Sequence, residues 1–384
     1  MVRRRFWISR ILSGWNRRSV IWLSGVRRVG KTFLCKSIPD VEYFDCEIPR
    51  VRRFIEEFPD DFLKEAREKK IVIDEIHRLS NPSEILKIAA DHFPDTRIVA
   101  TGSSTLGASK KFRDTLVGRK EEIYLTPIIS NDMKDFKNID IKHRFYFGGL
   151  PPFFMSNQID EREFQEWIDA YWSKDIMELF RLERRYSFIK FTELLFTQSG
   201  QLFEATKFSR LCEVSRTTIL NYLAILENTY IVHIIRPYTT RKAREIVAAP
   251  KVYAFDTGFV CYYKGWKELR DDDFGYLWEH FVLNELYAHI QNRRAIFYWR
   301  DKQGHEIDFI FMKKKEPIVI ECKWSLNEFN PKNIISFRKI YPKGDNYIVL
   351  YKLDRNFKIE KENIKIEFLN LEELIKRITG NFVS

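Results

Sequence analysis

The sequence predicts an α/β fold, and two features of its first 130 residues indicate this. Three short apolar runs, Val20–Ser24, Lys70–Asp74 and Arg97–Thr101, are separated by segments long enough to form helices. Strands separated in this way are typical of a parallel sheet with helices packed on it. Residues 71–73 are apolar without alternation, as in a strand that is buried on both faces. We therefore expect a helix-covered parallel sheet in the N-terminal part of the chain.

The composition indicates a globular protein with a basic surface. The chain has 384 residues, enough for two or three domains, and 45% of them are hydrophobic, too many for a disordered chain. Lysine and arginine total 65 against 54 acidic residues, a formal net charge of +11. This surplus favours a polyanionic partner such as nucleic acid, although a merely basic surface has the same composition. The apolar runs are too short to span a bilayer, so we expect no membrane partner.

The cysteines favour a reduced compartment. The chain has five cysteines, an odd number, scattered without a CxxC pair, so neither a disulfide framework nor a zinc ribbon is expected. The N-terminus begins with three arginines at 3–5 but lacks the apolar core of a signal peptide. We expect a cytoplasmic protein.

A phosphate-binding pattern, GxxxxGK[ST], lies between the first apolar run and a helix. Its residues are Gly25, Val26, Arg27, Arg28, Val29, Gly30, Lys31 and Thr32. The glycines let backbone N–H groups point at phosphate oxygens, and the helix that follows adds its positive N-terminal end. We expect Lys31 to reach the β- and γ-phosphates and the Thr32 hydroxyl to bind Mg²⁺, which makes ATP and Mg²⁺ the expected cofactors. The alternative is a chance glycine-rich turn.

Two carboxylates, Asp74 and Glu75, end the second apolar run. Asp74 is expected to hold Mg²⁺, directly or through water, and Glu75 to act as the general base that polarises the attacking water. Two acids at a strand end are more often a solvated terminus, but their pairing with a phosphate loop favours the functional interpretation.

The third run ends in Gly102-Ser103-Ser104. A hydroxyl at Ser103 would lie between the Asp74–Glu75 strand end and the phosphate loop, where it would sense the γ-phosphate. An ordinary serine-rich turn has the same residues.

With the loop GVRRVGKT and a third strand ending TGSS, the chain resembles prokaryotic and archaeal AAA+ family ATPases. The resemblance implies a catalytic polar sensor at Ser103. It also implies that Arg119, in the Gly118-Arg119 pair before a strand at 123–127, stabilises charge on the transferring phosphoryl group. The sequence leaves open whether Arg119 acts in cis, acts on a neighbouring subunit of a homo-oligomer, or is a surface arginine. Gly149-Leu150-Pro151 resembles a lid element near the nucleotide in related switch-type NTPases.

A helix–turn–helix pattern follows, over 207–212 and 215–227, with apolar residues at helical spacing. Ser215 is a good N-cap for the second helix. The opposite side would carry residue types that contact phosphates and base edges, namely Arg216, Thr217, Thr218 and Asn221.

Strands at 230–237 and 251–256 would form a wing, and Arg241, Lys242 and Arg244 form its basic tip. Winged helices bind either DNA or protein, and the basic tip favours DNA. Residues 223–238 and 251–258 resemble the centre of the uncharacterised C-terminal domain that accompanies this AAA+ subgroup.

Four residues near the C-terminus suggest a second site. Asp308 and Glu321 lie on two apolar strands joined by a turn at 313–316, with Lys323 two residues after Glu321 and Glu279 on an upstream helix. Two carboxylates on Mg²⁺ beside a lysine are the arrangement that phosphodiester hydrolysis needs. The quartet resembles the E…D…ExK site of restriction-endonuclease-like folds, with Asp308 and Glu321 as metal ligands. The alternatives are an inactive nuclease fold or strand-end salt bridges.

These patterns together predict four domains: a P-loop AAA+ core (1–135), a helical lid (136–200), a winged helix-turn-helix domain (201–268) and an α/β nuclease-like domain (269–384). The main hypothesis is an ATP-hydrolysing AAA+ ATPase that engages DNA, with metal-dependent nuclease activity left open. One alternative is a switch NTPase that gates protein–protein interactions through catalytically inactive C-terminal domains. Another is a DNA-binding regulator with a vestigial ATPase.

Overall fold

A computed structural model describes residues 2–102, 110–180, 182, 184–240 and 249–380. The chain divides into two compact units. The N-terminal unit contains Met1–Ile141, Gly148–Arg185 and Ala224–Ile231, and the C-terminal unit contains Lys142–Phe147, Tyr186–Leu223 and Val232–Ser384. The predicted division into four domains stays a prediction.

The N-terminal unit is built on a five-stranded parallel sheet in the order β2-β3-β4-β1-β5. Its strands are β1 (Val20–Ser24), β2 (Val41–Asp45), β3 (Lys70–Asp74), β4 (Arg97–Thr101) and β5 (Lys120–Tyr124). The three apolar runs of the sequence are β1, β3 and β4, so the predicted α/β core is confirmed. The fourth predicted strand, at 123–127, instead spans 120–124. The chain leaves the sheet before Pro127, which has no N–H group to donate to a neighbouring strand.

Short helices connect and cover these strands. They are α1 (Arg5–Gly14), α2 (Lys31–Lys36), α3 (Pro49–Glu57), α4 (Pro59–Glu65), α5 (Pro82–His92), α6 (Lys110–Thr115), α7 (Ser130–Asp135), α9 (Pro151–Phe154), α10 (Glu161–Ala170) and α11 (Met177–Phe180). A 3₁₀ turn covers Ile76–Arg78 and a π-helical turn covers Tyr171–Ile176. Three helices contain residues of both units, namely α8 (Ile141–Phe147), α12 (Arg185–Thr197) and α14 (Arg216–Asn228).

The strand register brings the functional ends of three strands to one edge of the N-terminal sheet. Leu23 of β1 is level with Thr101 of β4, and Asp45 of β2 is level with Asp74 of β3. Ala100 of β4 is also level with Ile73 of β3, so the phosphate loop after β1 begins at the same sheet edge as the end of β3, with β4 between the two strands.

The C-terminal unit is built on a nine-stranded mixed sheet in the order β13-β14-β12-β11-β10-β9-β7-β8-β6. Its strands are β6 (Gln201–Leu202), β7 (Val232–Pro237), β8 (Lys251–Ala254), β9 (Ile296–Arg300), β10 (Glu306–Lys313), β11 (Glu316–Lys323), β12 (Asn346–Leu350), β13 (Phe357–Lys361) and β14 (Ile364–Leu369). The parallel pair β7–β9 joins strands from either side of residue 268 in one sheet.

The remaining helices belong to the C-terminal unit. They are α13 (Ala205–Cys212), α15 (Thr257–Tyr263), α16 (Asp271–Ile290), α17 (Lys332–Ile340) and α18 (Leu371–Thr379), with 3₁₀ turns at Arg293–Ala295 and Leu326–Glu328. The long helix α16 packs on β11.

The predicted helix–turn–helix pattern is present as α13 and α14. The Ser215 hydroxyl accepts a hydrogen bond from the Thr218 amide at 3.0 Å, so Ser215 caps α14 as expected. Arg216, Thr217 and Asn221 are exposed, whereas Thr218 is half-buried. The antiparallel pair β7–β8 follows, and the predicted basic tip at Arg241, Lys242 and Arg244 lies outside the described residues.

The described part of the chain contains no helix long and apolar enough to cross a membrane. The five cysteines are free and buried.

A buried arginine fixes the connection between β11 and β12. The Arg338 guanidinium donates to Asn346 Oδ1 at 2.7 Å and to the carbonyl oxygens of Pro317, Asp345 and Tyr341 at 2.9, 2.7 and 3.2 Å. Burial lowers the pKa of Arg338 to about 10. The four acceptors replace the hydrogen bonds that the guanidinium would otherwise make to water.

We predict that Arg338→Met lowers the free energy of unfolding by about 3 kcal/mol, because it leaves several buried acceptors without donors. Urea denaturation measures the change. Lys339→Met is the matched control, since Lys339 is exposed and its pair with Glu362 is 3.9 Å long. The control should change stability by less than about 0.5 kcal/mol. Equal losses in the two variants would contradict the role given to Arg338.

Candidate functional site

The phosphate loop needs glycine at its two ends. Gly25 has φ +150°, and a Cβ there would lie 2.7 Å from the Leu125 carbonyl oxygen. Gly30 has φ +99° and forms the N-cap of α2. Both positions would be strained by a side chain, so the sequence pattern reflects a backbone requirement.

Lys31 folds back over this loop. Its ammonium donates to the carbonyl oxygens of Gly25 and Val26 at 2.8 and 3.2 Å. Burial lowers the pKa of Lys31, and the carboxylates of Glu75 and Asp175 act in the opposite direction. A phosphate would provide the anion that such a lysine favours.

Asp74 accepts hydrogen bonds from three hydroxyl groups and is only 2% exposed. Thr32 Oγ1 donates to Asp74 Oδ2 at 2.8 Å, and Tyr43 donates to the same oxygen. Thr101 donates to Asp74 Oδ1. Burial and the Asp74 contact raise the pKa of Tyr43, so this phenol stays protonated as a donor. The structure therefore brings together Thr32 and Asp74, the two residues predicted to bind Mg²⁺.

Glu75 lies beside a histidine that the sequence analysis did not identify. Its carboxylate is 3.1 Å from His77 Nδ1, and its backbone has φ +52°. Burial alone would raise the pKa of Glu75. The hydrogen bond from His77, together with the nearby Lys31 charge, outweighs burial and leaves this pKa below its ordinary value. Glu75 is therefore ionised near pH 7 and able to accept a proton.

The loop opens on a cavity of about 790 Å³. Glu75 and His77 line it together with Lys31, Thr32 and the prolines at 151 and 152. The Pro151 ring lies 3.5 Å from the position of a Cβ on Gly30, so the Gly149-Leu150-Pro151 element does lie at the phosphate loop. The volume is suitable for a nucleotide-sized ligand.

Two ion pairs, one buried and one partly buried, hold the loop in place. Arg4, from the segment before α1, donates to the Val29 and Thr126 carbonyl oxygens at 3.0 Å each and pairs with Asp132 at 2.6 Å. Arg27 pairs with Asp175 at 2.9 Å. Neither Arg4 nor Asp175 was predicted, because the Arg4–Val29, Arg4–Asp132 and Arg27–Asp175 contacts join residues 25, 128 and 148 positions apart.

The residues present fit ATP and Mg²⁺. The glycine loop forms a cradle that a Cβ would fill at Gly25, and Lys31 lies inside it. Thr32 and Asp74 would hold Mg²⁺, which when bound neutralises charge on the phosphate oxygens.

Two further residues, Ser103 and Arg119, were predicted to act at this site. Ser103 lies outside the described residues. Arg119 precedes β5, whose first residue, Lys120, is level with Val20 at the start of β1. Arg119 thus lies at the sheet edge opposite the phosphate loop, where it pairs with Asp91 at 2.7 Å. Arg119 does not line the nucleotide-sized cavity of its own chain. Its action on a neighbouring subunit stays a prediction.

The C-terminal carboxylates lie on adjacent strands. The β10–β11 register pairs Phe309 with Ile320, so Asp308 and Glu321 are opposite each other and on the same face. An irregularity in β10 between Ile307 and Ile310 marks this position. Such bulges often re-aim a side chain beside an active site.

Lys323 bridges the two acids. Its ammonium is 2.8 Å from Glu321 Oε2 and 3.5 Å from Asp308 Oδ2, and Asp308 also accepts the Cys322 amide at 2.8 Å. Burial and the neighbouring Asp308 carboxylate raise the pKa of Glu321 to about 8. The sequence therefore identified three residues that the fold brings together.

Glu279, the fourth predicted residue, contacts different partners. It accepts a hydrogen bond from the Tyr253 hydroxyl and lies 3.8 Å from the Lys251 ammonium. Burial and the charge of Asp308 raise its pKa, so it belongs to the same electrostatic cluster. Tyr253 and Lys251 were placed in a wing strand, and no local pattern indicated that they face these acids.

The fit of a divalent cation depends on Glu321. Within the described ranges its buried Oε1 has no hydrogen-bond partner. The same ranges contain no three histidine, cysteine or acidic side chains arranged to hold a metal together. A Mg²⁺ ion there would have only the two carboxylates of Asp308 and Glu321 from the described residues and would need water or substrate oxygens to complete its shell.

Comparisons with known families match the chain in three segments. Residues 17–133 match the family model described as AAA domain. Residues 138–270 and 274–374 match two models described as Domain of unknown function, DUF8612 and DUF4143.

Two chains that are similar over most of their length come from Mycobacterium tuberculosis and Haemophilus influenzae. The chain is 26% identical over 335 residues to an uncharacterized protein of Mycobacterium tuberculosis, covering 84% of this chain and 74% of that one. It is 22% identical over 355 residues to an uncharacterized protein of Haemophilus influenzae, covering 84% and 87%. A solved structure titled as the Walker-type ATPase of Pyrococcus abyssi is 16% identical, with a TM-score of 0.44 over 68% of this chain and 97% of that one.

The N-terminal unit thus has the parallel sheet and the phosphate loop of a P-loop nucleotide-binding protein. The segment 17–133, which contains this core, is similar to the AAA domain family.

Proposed function

We propose that the N-terminal unit binds and hydrolyses ATP with Mg²⁺ in the 790 Å³ cavity. The observation that carries this proposal is the Thr32–Asp74 hydrogen bond beside an ionised Glu75. Lys31 neutralises phosphate charge, and Thr32 with Asp74 forms the metal position. Glu75 accepts the proton of the attacking water, and His77 orients its carboxylate.

We predict that Lys31→Ala weakens nucleotide binding at least about tenfold, because the phosphates lose their buried cation. Glu75→Gln should keep nucleotide affinity and lower turnover by about 10² or more, since it removes only the base. Fluorescent-nucleotide titration and phosphate release measure the two effects. Lys64→Ala, on the exposed face of α4, is the control and should change neither. Full turnover in Glu75→Gln would exclude its role as base.

A second candidate function is metal-dependent phosphodiester cleavage in the C-terminal unit. Its support is the Asp308–Glu321 pair on one sheet face with Lys323 between the two carboxylates. Asp308 and Glu321 would hold a divalent cation that supplies Lewis-acid chemistry, and Lys323 would stabilise charge on the phosphate.

We predict that Asp308→Asn abolishes Mn²⁺-dependent cleavage of linear and branched DNA and leaves ATP turnover intact. Gel assays with and without ATP measure cleavage. Asp354→Asn changes an exposed carboxylate of the same unit and should leave both activities unchanged. Cleavage that survives Asp308→Asn would assign it to another site.

DNA is the proposed partner of this candidate function. Exposed Arg216, Thr217 and Asn221 lie in the first two turns of the capped helix α14, and the formal net charge of the chain is +11. Side chains of these types contact phosphates and base edges.

We predict that alanine at Arg241, Lys242 and Arg244 weakens DNA binding across sequences. The slope of log affinity against log salt should fall by about 3, because three phosphate contacts are lost. Fluorescence anisotropy at several salt concentrations measures the slope.

The control removes three exposed charges from the N-terminal unit by alanine substitution at Lys64, Arg67 and Lys69. Its slope should equal that of the unaltered chain. An unchanged slope in the first triple variant, with slow ATP turnover that DNA does not stimulate, would favour the switch NTPase that gates protein contacts.

A further inference from the structure

The carboxylate cluster contains a second buried lysine. Lys251 begins β8, is 5% exposed and pairs with Glu306, the first residue of β10. Its ammonium is also 3.8 Å from Glu279 Oε1. Arg300, the last residue of β9, approaches the other Glu306 oxygen at 3.5 Å. Lys251 therefore lies between two carboxylates from different elements.

The cluster thus has two halves of similar construction. In one half the Lys323 ammonium contacts Asp308 and Glu321. In the other half the Lys251 ammonium contacts Glu279 and Glu306. The halves are electrostatically linked, since Asp308 acts on the pKa of Glu279 and of Lys251.

Lys251 remains charged where it lies. Burial opposes its charge, but Glu279, Asp308 and Glu306 together raise the pKa of Lys251 above its ordinary value. A buried lysine between two carboxylates cancels their repulsion, as Lys323 also does for Asp308 and Glu321, so the charge of Lys251 alone does not distinguish the two halves.

The two halves differ in the acceptors they leave available. The contacted Glu279 oxygen already accepts the Tyr253 hydroxyl as well as facing Lys251. By contrast, Glu321 Oε1 is buried and without a hydrogen-bond partner among the described residues. An unsatisfied carboxylate oxygen is the one that gains most from a cation.

We propose that the Lys251 ammonium is a built-in cation between Glu279 and Glu306, so that only the Asp308–Glu321 half of the cluster binds a divalent metal. The inference rests on the proposed metal site at Asp308 and Glu321. It makes Lys251 a positioning residue, which acts by holding two carboxylates out of the metal shell.

Removing this charge should convert the Lys251 half into a metal site. We expect Lys251→Met to bind two Mn²⁺ per chain in the absence of nucleotide, where the unaltered chain binds one, measured by calorimetric titration. The variant should also lose several degrees of thermal midpoint in EDTA and regain them with Mn²⁺. Lys251→Arg keeps the positive charge and is the control. It should bind one Mn²⁺ per chain, and Mn²⁺ should not raise its thermal midpoint as it does in Lys251→Met.

A second variant tests the proposal without disturbing the lysine. Glu279→Gln should change Mn²⁺ affinity less than about threefold, since Glu279 is not a ligand in the unaltered chain. A tenfold or greater loss would overturn the proposal and make Glu279 a ligand. Equal Mn²⁺ stoichiometry in Lys251→Met and the unaltered chain would also overturn it.

The same titration separates this inference from the proposed function. If the unaltered chain binds no Mn²⁺ but Lys251→Met binds one, the Asp308–Glu321 metal site is wrong while the role of Lys251 stands. The double variant Lys251→Met with Asp308→Asn should bind one Mn²⁺ fewer than Lys251→Met alone. That loss would support both the Asp308–Glu321 metal site and the role of Lys251. Loss of neither ion overturns the Asp308 assignment.

Discussion

The position of the Asp74 carboxylate is the constraint on which the nucleotide cavity depends. One oxygen accepts Thr32 from the phosphate loop and Tyr43 from β2, and the other accepts Thr101 from β4. Because these strands are parallel and in register, their ends meet at one edge without any long loop. The next residue, Glu75, is thereby held over the cavity. A displacement of β3 would move the Asp74 and Glu75 carboxylates together.

The C-terminal unit buries several carboxylates close to one another. Two lysines lie among four carboxylates, and the pKa of Glu321 is still raised to about 8. Buried acids of this kind are retained where a cation completes them, because hydrophobic replacements would be at least as stable. This favours a functional origin for the cluster.

Local sequence was informative wherever the chemistry is contiguous. The phosphate loop, the Asp74–Glu75 strand end and the Glu321–Lys323 pair each lie within eight residues. In the structure Thr32 donates to Asp74 and Lys323 contacts Glu321, and the roles of these residues stay predictions. The strand predicted at 123–127 spans 120–124 in the structure, because the chain leaves the sheet before Pro127. The sequence did not indicate which residues of distant elements contact these groups.

The sequence by itself determined the parallel core, the phosphate loop and the position of Asp74 at the end of a strand, because periodicity and short spacing decide these features. Only the tertiary structure decided that Arg4 supports the loop and that Arg119 lies at the opposite sheet edge. It also decided that Lys251 turns to Glu279, although a wing strand and a helix 28 positions apart carry them. Which charges meet across elements depends on sheet order and register, and no local pattern in the chain encodes these.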